Sequence, residues 1–296
     1  MIQFILAILF TIQAQAQILE TPDLDKWLSA ASTASAHQPS SDVIYVFDID
    51  NTVLRLQQNL GSVQWFRWQQ KLIQDNIAQD RVAATIDELL TIQGHIYKLS
   101  RSQKPEPDMA NKLLELQRGG HPLLFHTSRN IDVRDTTERE LRINGLAPVQ
   151  NTIGPIKGYA GNFVYSDGPE NQRPATFQNG IYMTAGQDKG IWLNLLFLKT
   201  SRTFKHLVFV DDEIKNLQNV ERAFKDKISM TLCRYGKVDE TVREFNQSNK
   251  STEINLWNDL QGIISKLNWS LWGPITAGPW TAPTWRHEWK FADRLQ

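Results

Sequence analysis

The sequence predicts an α/β protein built on a parallel sheet, with a helical insertion after the first strand, and three observations carry that prediction. Short apolar runs recur along the chain, segments with helical spacing separate them, and several runs stop on acidic or hydroxyl residues. The runs that read as buried strands are VIYVF (43–47), PLLFHT (122–127), a weaker pair around NFVYS and GIYMT, HLVFV (206–210) and ISMTLC (228–233). Between them, residues 131–143, 191–198 and 214–224 have the spacing of helices covering the sheet.

Ahead of the first run, Thr21-Pro22-Asp23 reads as a helix start with Thr21 as the cap, leading into LDKWLSAAS. Residues 55–119 contain no clear strand. LQQNLGSVQWFRWQQKLIQDNI and RVAATIDELLTIQGHIYKLS read as helices, and Pro105 and Pro107 close the stretch. The expected organisation is therefore a core from 17–54 and 120–265, a helical cap at 55–119, and an irregular extension at 266–296. That extension carries five of the ten tryptophans, at 269, 272, 280, 285 and 289, and packing against the parent domain is their expected use. Trp65, Phe66 and Trp68 are expected to form the core of the cap ahead of lining a pocket.

The chain carries 32 basic and 32 acidic side chains, so no net field draws it to nucleic acid or an anionic membrane. Any anion has to be bound by local groups. An apolar stretch at residues 2–12 is too short to span a bilayer, and Ala14-Gln15-Ala16 follows it as a small-x-small pattern. Residues 1–16 therefore read as a signal peptide and the protein as exported, periplasmic or secreted, with no membrane span once the leader is removed. The single Cys233 lies in an apolar run and reads as a core residue, and the six histidines lack the spacing of a zinc site.

The chemistry is expected at the carboxyl ends of the strands, where parallel sheets bind ligands. VIYVF runs into Asp48 and Asp50, PLLFH into Thr127, Ser128 and Arg129, and HLVFV into Asp211, Asp212 and Glu213. Four aspartates gathered at one sheet edge repel one another, and a hard divalent cation, Mg2+ above all, removes that cost. An aspartate beside a cation suits attack on phosphorus, with Asp50 placed to move a proton. Lys189, just ahead of an apolar helix, and Thr127 are placed to receive phosphoryl oxygens. Thr127 is preferred to Ser128 on its spacing from the apolar run, and Lys189 to Lys199, which ends a helix. Asn216, four residues after Asp212, either supports the metal ligands or is an exposed helix residue. Arg129 is expected to pair with Asp132 or Asp135 ahead of touching a phosphate.

These stretches resemble the haloacid dehalogenase-like (HAD) superfamily. FDIDNT matches its first motif DxDx[TV], LLFHTSR the second, DKG the lysine of the third and FVDDEIKN the acidic fourth, in the same order, over roughly residues 43–235. The stretch LGSVQWFRW is in addition similar to an uncharacterised bacterial family, DUF2608. The resemblance implies a Rossmann-like HAD core with a cap after the first motif. It makes Asp48 the nucleophile and a metal ligand, Asp50 the general acid and base with its backbone carbonyl also reaching Mg2+, Thr127 and Lys189 the phosphate-binding residues, and Asp211 with Asp212 metal ligands. The aspartate at 50 points to a phosphatase acting on a small phosphomonoester through an aspartyl-phosphate. The alternatives are a phosphotransferase to an acceptor other than water and a non-catalytic binding protein on the same fold.

Overall fold

The computed structural model of the chain describes residues 18–146, 153, 163–165 and 173–266. The expected leader, the ends of the NFVYS segment and the Trp-rich extension beyond residue 266 lie outside the described residues. The described residues divide into two compact units, those of 18–58 with 97–244 and those of 59–96 with 245–266.

The first unit is an eight-stranded, mostly parallel sheet covered by helices. In chain order its strands are β1 (Ile18–Thr21), β2 (Val43–Phe47), β5 (Leu123–Thr127), β6 (Phe163–Tyr165), β7 (Ala175–Gln178), β8 (Ile181–Met183), β9 (His206–Asp211) and β10 (Ser229–Tyr235). Two further strands, β3 (Arg55–Leu56) and β4 (Ser102–Gln103), form a separate antiparallel pair. The order across the main sheet is β1-β10-β9-β2-β5-β8-β7-β6, parallel from β1 to β8 and antiparallel for the last two pairings. This is the Rossmann-like α/β architecture the strand–helix alternation predicts, with an antiparallel edge in place of the fully parallel sheet expected.

Side-chain alternation along the strands builds a core on each face. Val43, Tyr45 and Phe47 of β2 point to one side, with Phe125, Val208 and Val210 of its neighbours, and meet Leu24, Trp27 and Ala31 of helix α1 (Leu24–Ser35). Ile44 and Val46 point to the other, with Leu124, Leu207 and Phe209. There they meet Trp192, Leu193 and Leu196 of α6 (Lys189–Lys199) and Leu217, Val220 and Phe224 of α7 (Ile214–Phe224). Cys233 is fully buried in the first of these cores, which pushes its thiol up to about 12, so it serves as packing.

Local readings differ from the structure in several places, among them β7 and the β3–β4 pair, where the sequence predicts no strand. Residues 18–21 form an edge strand, too short for periodicity to reveal, and the cap of α1 is Asp23, whose carboxylate accepts from the backbone N–H groups of Asp25 and Lys26. The insertion is shorter than 55–119. Met109 and Leu113 of α4 (Met109–Arg118) are buried in the sheet's core with Phe125 and Leu141, so residues 97–119 belong to the sheet unit. Conversely, residues 245–266 group with 59–96.

The second unit is helical. Helix α2 (Val63–Gln74) starts at Ser62, whose hydroxyl accepts from Trp65 N at 3.3 Å. Helix α3 (Ile86–Leu99) begins with a reciprocal capping box, since Glu88 N donates to Thr85 Oγ1 at 3.2 Å and Thr85 N to Glu88 Oε2 at 3.3 Å. Trp65, Leu89, Ile96 and Phe245 are buried together, with Phe66, Trp68 and Trp257 of α9 (Ser251–Lys266) packed on them. The aromatic cluster of α2 is thus the unit's own core. No helix among the described residues is long and apolar enough to cross a membrane.

Helices α6 and α7 approach closely because residue 190 has no side chain: a Cβ there would lie 2.1 Å from the carbonyl oxygen of Asn219. Backbone cannot yield cheaply, so Gly190→Ala should destabilise the protein by about 1–3 kcal/mol. Urea unfolding of the variant beside wild type measures the difference.

Candidate functional site

The order of the sheet changes direction at β2, whose neighbours are β5 on one side and β9 on the other. A crevice opens at such a switch point beyond the carboxyl ends of the strands, and the chain delivers polar residues there. Asp48 follows β2, Thr127 closes β5, Asp211 closes β9 and Lys189 opens α6. The turn after Asp50 is tight. Asn51 sits at φ 60, a conformation asparagine tolerates, and the N–H groups of Thr52, Val53 and Leu54 all reach the carbonyl of Ile49.

That turn brings Thr52 back over the strand ends. Its hydroxyl donates to Asp48 Oδ2 at 3.4 Å and accepts from Asp212 N at 3.1 Å, so one side chain ties the end of β2 to the end of β9. The Lys189 ammonium donates to Asp48 Oδ1 at 2.5 Å and to Asp211 Oδ2 at 2.7 Å, with its side chain 1% exposed. Asp211 is held from its other side: Glu213 N donates to Oδ1 at 2.8 Å, and the Asn216 amide reaches both oxygens at 2.9 and 3.0 Å. Of the two readings of Asn216, the structure selects the one in which it braces an acidic residue of the site.

Burial sets the electrostatics. Desolvation pushes the Asp48 carboxyl up from 3.8 to about 7; Lys189 pulls it down, while Asp211 and Asp50 add to the rise. For Lys189 burial works against the charge, but Asp211 and Asp48 together outweigh it and its pKa rises, so the ammonium stays charged. Oxygens of Asp48, Asp211 and Asp212 lie within 4.8 Å of one another and form a set that can hold a metal ion. An all-carboxylate set fits a hard cation.

The Asp50 side chain is not in that set. Both its oxygens face Arg129, which donates from Nε to Oδ2 and from Nη2 to Oδ1, each at 2.8 Å, and Tyr97 Oη donates to Oδ1 at 3.3 Å. The guanidinium stacks on the Tyr97 ring with its carbon 4.3 Å from the ring centre, and Nη1 donates to Thr137 Oγ1 at 3.0 Å. The expected pairing of Arg129 with Asp132 or Asp135 is therefore corrected. Arg129 is buried and points back to the turn after β2, whereas Asp132 accepts from the Asn130 amide and Asp135 from Thr136 N. Two aspartates two residues apart thus carry different cations, Lys189 for one and Arg129 for the other.

Thr127 is fully buried and its hydroxyl accepts from Arg129 N at 3.1 Å, while Ser128 is exposed. Lys199 is exposed in the last turn of α6, at the far end from Lys189. His126 is buried between the rings of Tyr182 and Phe209, and burial holds it well below its ordinary pKa as neutral imidazole. The residues that sequence spacing missed are Thr52, Tyr97 and Thr137. Thr52 stands inside the aspartate motif, but Tyr97 is 47 residues from Asp50 and nothing local marks it.

A family profile described as "Protein of unknown function (DUF2608)" matches residues 25–268, a span that contains every residue of this site. No curated protein matches the chain.

The raised Asp48 carboxyl has a consequence for stability. Between about pH 4 and 7 the folded protein holds a proton that the unfolded chain releases, so stability falls as pH rises through this window and the loss is complete above it. In metal-free protein, Asp48→Asn should raise Tm above pH 7 and have its gain vanish near pH 4. Thermal unfolding of both proteins in chelator from pH 4 to 8 tests this.

Proposed function

The chain belongs to the DUF2608 family of proteins of unknown function, and we propose that it is a Mg2+-dependent phosphatase of the HAD type that hydrolyses a small phosphomonoester through Asp48. The observation that carries this reading is the Lys189 ammonium held between two buried carboxylates at the switch point of a parallel sheet. Such a charge cluster is costly to bury, and a metal with a phosphate is the pair of ligands that the charges complement. The donors are of the kind a hard cation takes: Asp48, Asp211 and Asp212 would hold Mg2+ through oxygen, and the HAD resemblance adds the backbone carbonyl of Asp50. Bound there, Mg2+ would offset the negative charge shared by nucleophile and phosphate.

In the first half-reaction an Asp48 oxygen attacks phosphorus and the bond to the leaving oxygen breaks. The electron pair stays on the leaving oxygen, which takes a proton from Asp50. For this, Arg129 has to yield one Asp50 oxygen, since both are engaged at rest. Lys189 and the Thr127 hydroxyl neutralise and hold the transferred phosphoryl group. In the second half water attacks phosphorus, Asp50 takes the proton from water, and Asp48 leaves as a carboxylate with inorganic phosphate released. The apolar leader at 2–12 supports export of the enzyme.

The test is hydrolysis of 4-nitrophenyl phosphate with Mg2+, with chelator and by Asp48→Asn. Turnover is expected with Mg2+ alone, with chelator and substitution each lowering it by about 10³-fold or more. Absence of both turnover and Mg2+ binding in the wild type would assign the site to a non-catalytic protein. Transfer of the phosphoryl group to an added alcohol in preference to water would mark a phosphotransferase.

A further inference from the structure

Arg129 and Tyr97 form an arrangement that the phosphatase reading does not require. Lys189 joins the side chains of Asp48 and Asp211 in one network, whereas the Asp50 side chain faces a separate set of partners. Three hydrogen bonds converge on its two oxygens, two of them parallel and at 2.8 Å from one guanidinium. Parallel N–H donors of this kind fix a carboxylate in direction as well as in place, and they engage its anionic form. The guanidinium is itself immobilised. Thr137 Oγ1 accepts from its third nitrogen, the Tyr97 ring lies under its plane, and its own backbone N–H is tied to Thr127 Oγ1. Arg129 is 7% exposed, while Asp50 keeps partial access to the crevice with a side chain 20% exposed.

Resting on the phosphatase reading, we propose that Arg129 and Tyr97 are positioning residues that hold Asp50 as the base for hydrolysis of the phosphorylated Asp48. The two half-reactions ask different things of Asp50. Expulsion of an alkoxide needs a proton on it, but expulsion of nitrophenolate does not, because that anion is stable in water. Attack by water needs a carboxylate aimed at the water in either case. The clamped state fixes the direction of that carboxylate, and Oδ2, which accepts from Nε alone, keeps a lone pair for the proton of water. Loosening the clamp therefore slows the second half-reaction and leaves the first intact for an aryl phosphate.

The experiment is rapid-quench and steady-state kinetics of wild type, Tyr97→Phe, Arg129→Lys and Asp50→Asn with 4-nitrophenyl phosphate and Mg2+. Tyr97→Phe keeps the ring under the guanidinium and removes one hydrogen bond, so it guards against a folding failure of Arg129→Lys. In both clamp variants kcat should fall about tenfold or more, with kcat/KM within about threefold of wild type and a nitrophenol burst approaching one per enzyme as phosphorylated protein accumulates. In the Asp50→Asn background, Arg129→Lys should add little further loss, because both changes act on one group. An equal fall of kcat and kcat/KM, or full additivity with Asp50→Asn, would overturn the inference while leaving the phosphatase reading intact. A wild type that neither forms phosphorylated protein nor turns over would sink both.

Discussion

The site is organised by one ammonium group. Lys189 is buried between Asp48 and Asp211, on strand ends that flank each other in the sheet, and its charge offsets two carboxylates that would repel across the gap. Burial of such a triad is expensive, and an apolar trio of the same volume would serve stability as well or better. The fold nonetheless builds toward it. Gly190 lets the start of α6 lie against the backbone of α7, which sets where Lys189 emerges, and Asp188 caps the helix by accepting from Ile191 N. Asn216, on the first turn of α7, closes the remaining side of Asp211. Two packed helices therefore determine the position of one nitrogen atom relative to two strands.

The second cation of the site does something different. Arg129 leaves β5 two residues after its last strand position and reaches the turn after β2, where Asp50 lies. Because each of the paired aspartates has its own counter-charge, they are separated in orientation though only one residue stands between them in the chain. Asp48 is drawn inward to Lys189 and the acidic end of β9, and Asp50 sideways to Arg129 and Tyr97. A planar guanidinium suits the second task, since its parallel donors set direction. A compact ammonium suits the first, since its donors can serve two separate carboxylates at once.

The charges that matter are local. With acidic and basic residues in equal number, the protein has no long-range field with which to attract an anion, so affinity for one would come from Lys189, the Thr127 hydroxyl and a cation held by three carboxylates. Burial strengthens each of these interactions and also couples them. Asp48 is held at an intermediate pKa by desolvation that its lysine only partly offsets, so any cation entering the acidic cluster changes the state of the group beside it.

The amino-acid sequence by itself determined the central strands of the sheet unit, helices α6 and α7, and the residues at the strand ends, because these are written in local periodicity, whereas β7 and α4 were not legible in it. VIYVF is β2 to the residue, and 214–224 is α7. It also determined that Asp48, Asp211 and Asp212 would meet, since in a parallel sheet the strand ends of a switch point converge whatever lies between them, while Lys189 comes to them from the start of a helix. Short or distant features were not legible. An edge strand of four residues has no period, and the limits of the insertion were misread because α4 looks the same in sequence whether its apolar face covers the sheet or another helix. Only the tertiary structure decided which carboxylate pairs with which cation. Arg129 has acidic residues three and six positions away, yet it joins Asp50, 79 residues back, and Tyr97 comes to the same place from the end of α3. The physical reason is that hydrogen bonding between buried side chains is a matter of distance after folding, and separation along the chain carries no information about it.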